Sequence, residues 1–133
     1  MFILESTYDG AGTIVETGII DGEAGAVGEV VKIASGKLTK CGTDDTPAGV
    51  LIKATPSGTN LETEFIRVRR DQVWLADYTG TAPVVGAVYG IDSSALLIDT
   101  NNADGGNWEV VSVDTAKAKC RVIPVLETTT AST

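Results

Sequence analysis

The sequence predicts an all-β protein, a compact β-sandwich or β-barrel of short antiparallel strands with extended termini. Three observations predict it. The apolar runs are short and alternate at period two, the spacing of a strand with one buried face. Fifteen glycines punctuate them, and only 5% of the residues are aromatic. A strand–turn–strand phrase is also written twice, as "AVGEVVKIASGKL" at 26–38 and "VVGAVYGIDSSALL" at 84–97. Setting Val27 against Val85 matches Gly28 with Gly86, Val30 with Val88, Ile33 with Ile91, Ser35 with Ser93 and Leu38 with Leu96. Duplication and convergence both account for the match, because valine and glycine are common in this chain.

Taken in order, "AGTIVETGII" offers extended segments and "DGEAGAVG" a glycine-rich turn. "EVVKIA", "SGK" and "LTKC" read as a hairpin turning at Ser35-Gly36. "TDDTPAG" is a loop, since Pro47 and the aspartates Asp44 and Asp45 favour turn geometry. "GVLIKAT", residues 49–55, reads as a buried strand. "TEFIRVRRDQVWLADY" is the longest continuous pattern, with Phe65, Arg67 and Arg69 on one face and Ile66 and Val68 on the other. Its expected arrangement is arginines outward and β-branched residues inward. Gly80 and Pro83 precede the second copy of the phrase, and "NNADGGN" is a turn. "WEVVSVD" and "KCRVIPVL" close the chain as a hairpin, with Pro124 at an edge or bulge. The expected organisation is an N-terminal arm or first strand over 1–17, a β-domain over 18–126 and a flexible tail over 127–133.

A chain of 133 residues is one domain by size and can bury roughly two thirds of its unfolded surface without a disulfide. Cys41 and Cys120 lie far apart with no metal spacing, and read as reduced, packed thiols. The net charge of −8 argues against nucleic acid and anionic membrane as partners. No run approaches the ~20 apolar residues of a membrane span, and "MFILESTYDG" lacks the basic start of a secretory signal. Charge is segregated: residues 1–31 hold six acids and no base, and residues 71–116 seven acids and no base. Such segments suit docking between copies or onto a partner; a solvated, uneven surface explains them equally.

Candidate chemistry is sparse. The chain has no histidine, and so lacks the usual general base and the commonest transition-metal ligand. Asp44 and Asp45 are explained by turn hydrogen bonds. "DTNNADGGN" departs from a calcium loop at its fifth and sixth positions, Ala103 and Asp104. "DGEAGAVGE" has no lysine with which to hold phosphate. No catalytic, cofactor or metal site is expected. The basic trio Arg67, Arg69 and Arg70 is either a solvated strand face or a docking point for acids on a neighbour. The apolar start, Phe2, Ile3 and Leu4 with Tyr8, is the other candidate contact, as a docking arm or as an ordinary first strand.

The stretch "GIIDGEAGAVGEVVKIASGKLTKCGTDDTPAGVLIKAT" resembles the capsid decoration (cement) proteins of tailed bacteriophages, and "VVGAVYGID" looks like the second half of that pattern. The likeness spans about residues 18–125. The proline- and threonine-rich N-terminal arm of the lambda-like trimeric type has no match here. The resemblance implies a β-rich structural virion protein made in the bacterial cytoplasm and carried on the outer surface of the head. It would bind the major capsid protein there, as a homo-oligomer (dimer or trimer), and use no cofactor. Three other readings belong to different classes: a tail-tube, baseplate or head-fibre component, a small β-barrel enzyme without histidine, and a carbohydrate-binding β-sandwich. The latter normally displays aromatics, and here only Trp74, Trp108 and three tyrosines are available.

Overall fold

A computed structural model describes residues 1–7, 14–103 and 106–126. Tyr8, the 127–133 tail and Asp104 of the calcium-like stretch lie outside the described residues. Those described form eleven strands and no helix. In chain order the strands are β1 (Phe2–Thr7), β2 (Val15–Ile20), β3 (Val30–Ala34), β4 (Lys37–Lys40), β5 (Gly49–Leu51) and β6 (Leu61–Arg67). Then come β7 (Gln72–Thr79), β8 (Val88–Ile91), β9 (Leu97–Asp99), β10 (Trp108–Asp114) and β11 (Lys119–Pro124). The all-β expectation is met.

The strands close into two barrels. The first runs β2-β4-β3-β5-β6 and back to β2. The second runs β7-β9-β8-β10-β11 and back to β7, with β1 added at the edge of β7. Advancing each label of the first ring by five gives the second. The parallel closures correspond as well, β2 with β4 and β7 with β9. The repeated phrase is therefore the local trace of a topology used twice.

Its turn is rebuilt bond for bond. Glu29 N donates to Ala26 O at 3.1 Å, and Ala87 N to Val84 O at 3.0 Å. Gly28 N reaches Leu51 O at 2.7 Å, and Gly86 N reaches Val110 O at 2.8 Å. Both glycines sit at the third turn position with φ of 81° and 90°, a left-handed conformation that glycine adopts without steric cost. The match drifts in the return strand. Leu38 pairs with Ile33 and Ile98 with Ile91, so the counterpart of Leu38 is Ile98 and not Leu96. The second turn is two residues longer, and Asp92 braces it by accepting from Ser94 Oγ at 2.8 Å and Leu97 N at 3.3 Å. The first is a two-residue hairpin with Ser35 and Gly36 both at positive φ, as a type I′ turn requires.

Two further expectations change. "GVLIKAT" yields a strand only over Gly49–Leu51. The long pattern from Thr63 breaks at 68–71, where the chain passes from one barrel to the other. Phe65 points inward with Ile20, Val31, Leu38 and Leu51 to fill the first barrel. Ile66 and Val68 face outward but stay covered, because they pack on the core of the second. The strand has two apolar faces since barrels lie on both sides of it.

The same holds for β3 and β5. Val30 and Val31, and likewise Val50 and Leu51, are fully buried on alternating faces. Val31 and Leu51 fill the first barrel, while Val30 and Val50 join a larger cluster with Phe2, Trp74, Tyr89, Ile98, Trp108 and Val122. Val30 N also donates across the junction to Ala95 O at 2.8 Å.

Equivalent positions trade volume. Leu51 pairs with Phe65 as Val110 pairs with Val122, and Gly49 pairs with Arg67 as Trp108 pairs with Pro124. In the first barrel the large residue is Phe65, and a Cβ on Gly49 would run into its ring. In the second the large residue is Trp108, edge-on to Trp74 at 6.4 Å between ring centroids. Truncating Trp108 to Ala opens a cavity beside Phe2 and Trp74 in the buried core. It is expected to destabilise the fold by about 3–5 kcal/mol in urea unfolding. Val27→Ser at the exposed first turn is expected to stay within ~0.5 kcal/mol of the parent.

Candidate functional site

The β6–β7 crossover, β1 and the start of β2 meet around a cleft of about 110 Å³ at one mouth of the first barrel. Leu4, Ile14 and Ile66 supply its apolar wall, and Glu16, Arg67, Arg69 and Gln72 its polar rim. Ring equivalence explains why a cleft forms here. Glu16 pairs with Phe65 as Trp74 pairs with Val122, so this mouth carries a carboxylate where the second barrel carries an indole.

Glu16 is held by Arg67 in a two-pronged pair, with Nε to Oε2 and Nη2 to Oε1 both at 2.9 Å. That bond lowers the Glu16 carboxyl pKa below its ordinary value and raises that of Arg67. The guanidinium carbon also stands 5.7 Å from the Phe65 ring centroid. Arg69 pairs with Asp71 at 3.0 Å, and Arg70 donates to the Leu126 carbonyl. Gln72 is buried and braces the crossover. Its Oε1 accepts from Arg69 N at 2.6 Å and Trp74 Nε1 at 3.0 Å, and its Nε2 donates to Arg67 O at 2.7 Å.

The candidate contacts from sequence divide. Leu4, Arg67 and Arg69 come together on the cleft, and Arg70 follows them in the same turn. Phe2 is 2% exposed, its ring 4.8 Å from that of Trp108, and so belongs to the protein's own core. Ile3 is outward and exposed. Residues 2–7 form a strand on β7. Sequence reasoning missed Ile14, Glu16 and Gln72. The alternation of "VETGII" marks Glu16 only as a strand residue, and its arginine lies 51 positions away.

A second cleft of about 180 Å³ lies against the β10–β11 hairpin, lined by Leu75, Ser112, Asp114, Lys117, Lys119 and Arg121. Two of its cations are spoken for, Lys119 by Asp77 at 2.6 Å and Arg121 by Glu5 at 2.6 Å. Cys41 and Cys120 are free, buried thiols, and burial pushes them up to about 12 and about 11. Among the described residues no three of Asp, Glu, Cys or His gather as a metal set.

One buried acid stands apart. Glu29 is 3% exposed; its Oε1 accepts from Ala26 N at 3.3 Å, and its Oε2 is buried with no hydrogen-bond partner among the described residues. Burial raises its carboxyl pKa, outweighing the pull of the Ala26 amide and Lys40. Its counterpart in the second barrel is Ala87.

The sign of its pH effect follows from linkage. Below 4.5, the ordinary value, Glu29 is protonated folded or unfolded. As pH rises past that value the unfolded chain ionises first, so stability falls until the folded pKa is passed. Glu29→Gln is therefore expected to be more stable than the parent at neutral pH, with the difference vanishing below 4.5. Thermal melts across pH measure it. Gln72→Leu leaves the Trp74 and Arg69 donors unmatched and is expected to cost about 3 kcal/mol. In the same denaturation assay Glu16→Gln, at an exposed pair, should cost no more than ~1 kcal/mol.

Compared with known proteins, the chain matches no protein family, no curated protein and no solved structure.

Proposed function

We propose that this chain is a structural virion protein that binds the outside of a phage head and cements neighbouring major capsid subunits. The observation that carries the reading is the body itself: two barrels of one topology, joined where Val30, Val50 and Val68 of the first pack into the core of the second. Such a body is a stiff spacer, with equivalent turns at 26–29 and 84–87 and no histidine-based chemistry to serve. The sequence resemblance supports the same assignment.

The physics of the role is simple. A protein that binds only the expanded lattice stabilises it by mass action. A copy touching two subunits converts separate contacts into a multivalent one. Of the candidate contacts, Ile3, Arg67, Arg69 and Arg70 would meet the neighbour in this reading, while Phe2 and Leu4 pack on the protein's own core.

Heads assembled with and without the protein test the role. Heads lacking it are expected to form at normal size but release DNA at lower temperature, and adding purified protein back should restore the parent value. Equal heat resistance, with the protein found on tails in electron micrographs, would assign it to the tail instead.

A further inference from the structure

The two barrels differ along one hairpin. β5 stops at Leu51, whereas its counterpart β10 runs on past Val110 to Asp114 before turning into β11. A bulge interrupts β10 between Val110 and Ser112. Two residues on from the inward Val110, Ser112 would also face the core, but the bulge shifts the alternation by one. Val113 packs inward opposite Cys120 instead. Ser112 joins Arg121 and Leu75 in one cross-strand row on the outer face, and Asp114, Lys119 and Asp77 form the next. All of these but Asp77, with Lys117 of the turn, line the cleft of about 180 Å³.

The cleft holds donors without acceptors. Ser112 Oγ is shut away from solvent with no hydrogen-bond partner, a state in which native proteins leave few polar atoms. Lys117 Nζ pairs with no carboxylate among the described residues, and its backbone N–H donates to Asp114 Oδ1 at 3.2 Å. Arg121 meets Glu5 through Nε and Nη2, at 2.6 and 3.3 Å, and keeps Nη1. Asp77 divides its charge between Lys119 at 2.6 Å and the Met1 amine at 2.9 Å. Lys117, Lys119, Arg121 and the amine thus stand among the carboxylates of Glu5, Asp77 and Asp114, a surplus of one cation in a chain of net charge −8.

Size and charge select the ligand. The cleft is smaller than the ~300 Å³ at which pockets for drug-sized molecules begin, so it takes a small molecule or a single side chain. One surplus cation suits a monoanion, whereas a phosphate dianion would also meet Asp114. A hydroxyl and an ammonium group as donors match the two oxygens of a carboxylate, and Leu75 gives the carbons behind it an apolar wall. Lys117 and Arg121 are exposed, so their arms swing aside within nanoseconds as a ligand reaches the hydroxyl.

We infer that this cleft binds the carboxylate of a short aliphatic acid, either a free molecule or an aspartate or glutamate side chain of another protein. Ser112 Oγ and Lys117 Nζ donate to it and Leu75 lies against its carbons. The site does not depend on the proposed function.

Butyrate is titrated onto the intact protein while amide resonances are followed by NMR, with acetate, phosphate and propylammonium compared at one ionic strength. Saturable shifts are expected at Ser112 and Lys117, and butyrate should bind about tenfold tighter than acetate because its two further CH₂ groups leave water. Ser112→Ala and Lys117→Gln are each expected to weaken butyrate by about fivefold or more, with the melting temperature at the parent value. Absence of a saturable shift, equal binding of phosphate or propylammonium, or a butyrate affinity indifferent to Ser112→Ala overturns the inference. Acetyl-alanyl-glutamyl-alanine amide, whose one charge is a side-chain carboxylate, separates the two sources. Binding as tight as that of butyrate assigns the cleft to the acid of another protein, and binding of butyrate alone assigns it to a free acid.

Discussion

The burial of β3 and β5 on both faces is the constraint from which the rest of the architecture follows. A strand with one apolar face needs one core, whereas Val30 with Val31, and Val50 with Leu51, need two. The first barrel supplies one and the second barrel the other. The first barrel alone does not cover its own residues: without its neighbour it would expose Val30, Val50 and Val68. Non-directional apolar burial therefore holds the halves together, and the few backbone bonds across the junction fix how they sit. Loss of the junction would expose both cores together, so the two barrels unfold as one cooperative body.

Much of this architecture was legible. Period-two alternation and frequent glycines mark short strands, and Ser35-Gly36 marks a hairpin, because those signals are local. The repeated phrase marks the repeated topology, because a left-handed turn residue at Gly28 and at Gly86 is also a local demand. The break at 68–71 was not legible. No glycine or proline marks it, and the polar run Arg69-Arg70-Asp71-Gln72 reads equally as the solvated part of one strand, so tertiary packing is what separates the two strands. The orientation of Phe65 failed for a related reason: with an apolar partner on each side, alternation no longer tells inside from outside.

The candidate site was legible in part. Arginines on a strand edge are visible as charge, and so Arg67 and Arg69 were found. Glu16 was not, because ion pairing across two strands depends on a register that no short window contains. The trade of Gly49 and Phe65 for Trp108 and Val122 is hidden likewise. It becomes visible only when the two ladders are laid over each other residue by residue.

That trade has a bearing on how the chain avoids misassembly. Two halves with one topology invite the wrong strands to pair, a recognised failure of tandem repeats. If β10 closed the first barrel in place of β5, Trp108 would be driven into the space that Phe65 already occupies. If β5 closed the second, Gly49 would leave the place of an indole empty. Each error brings a clash or a void, so divergence of the interiors, with the ladders kept alike, directs every strand to its own ring.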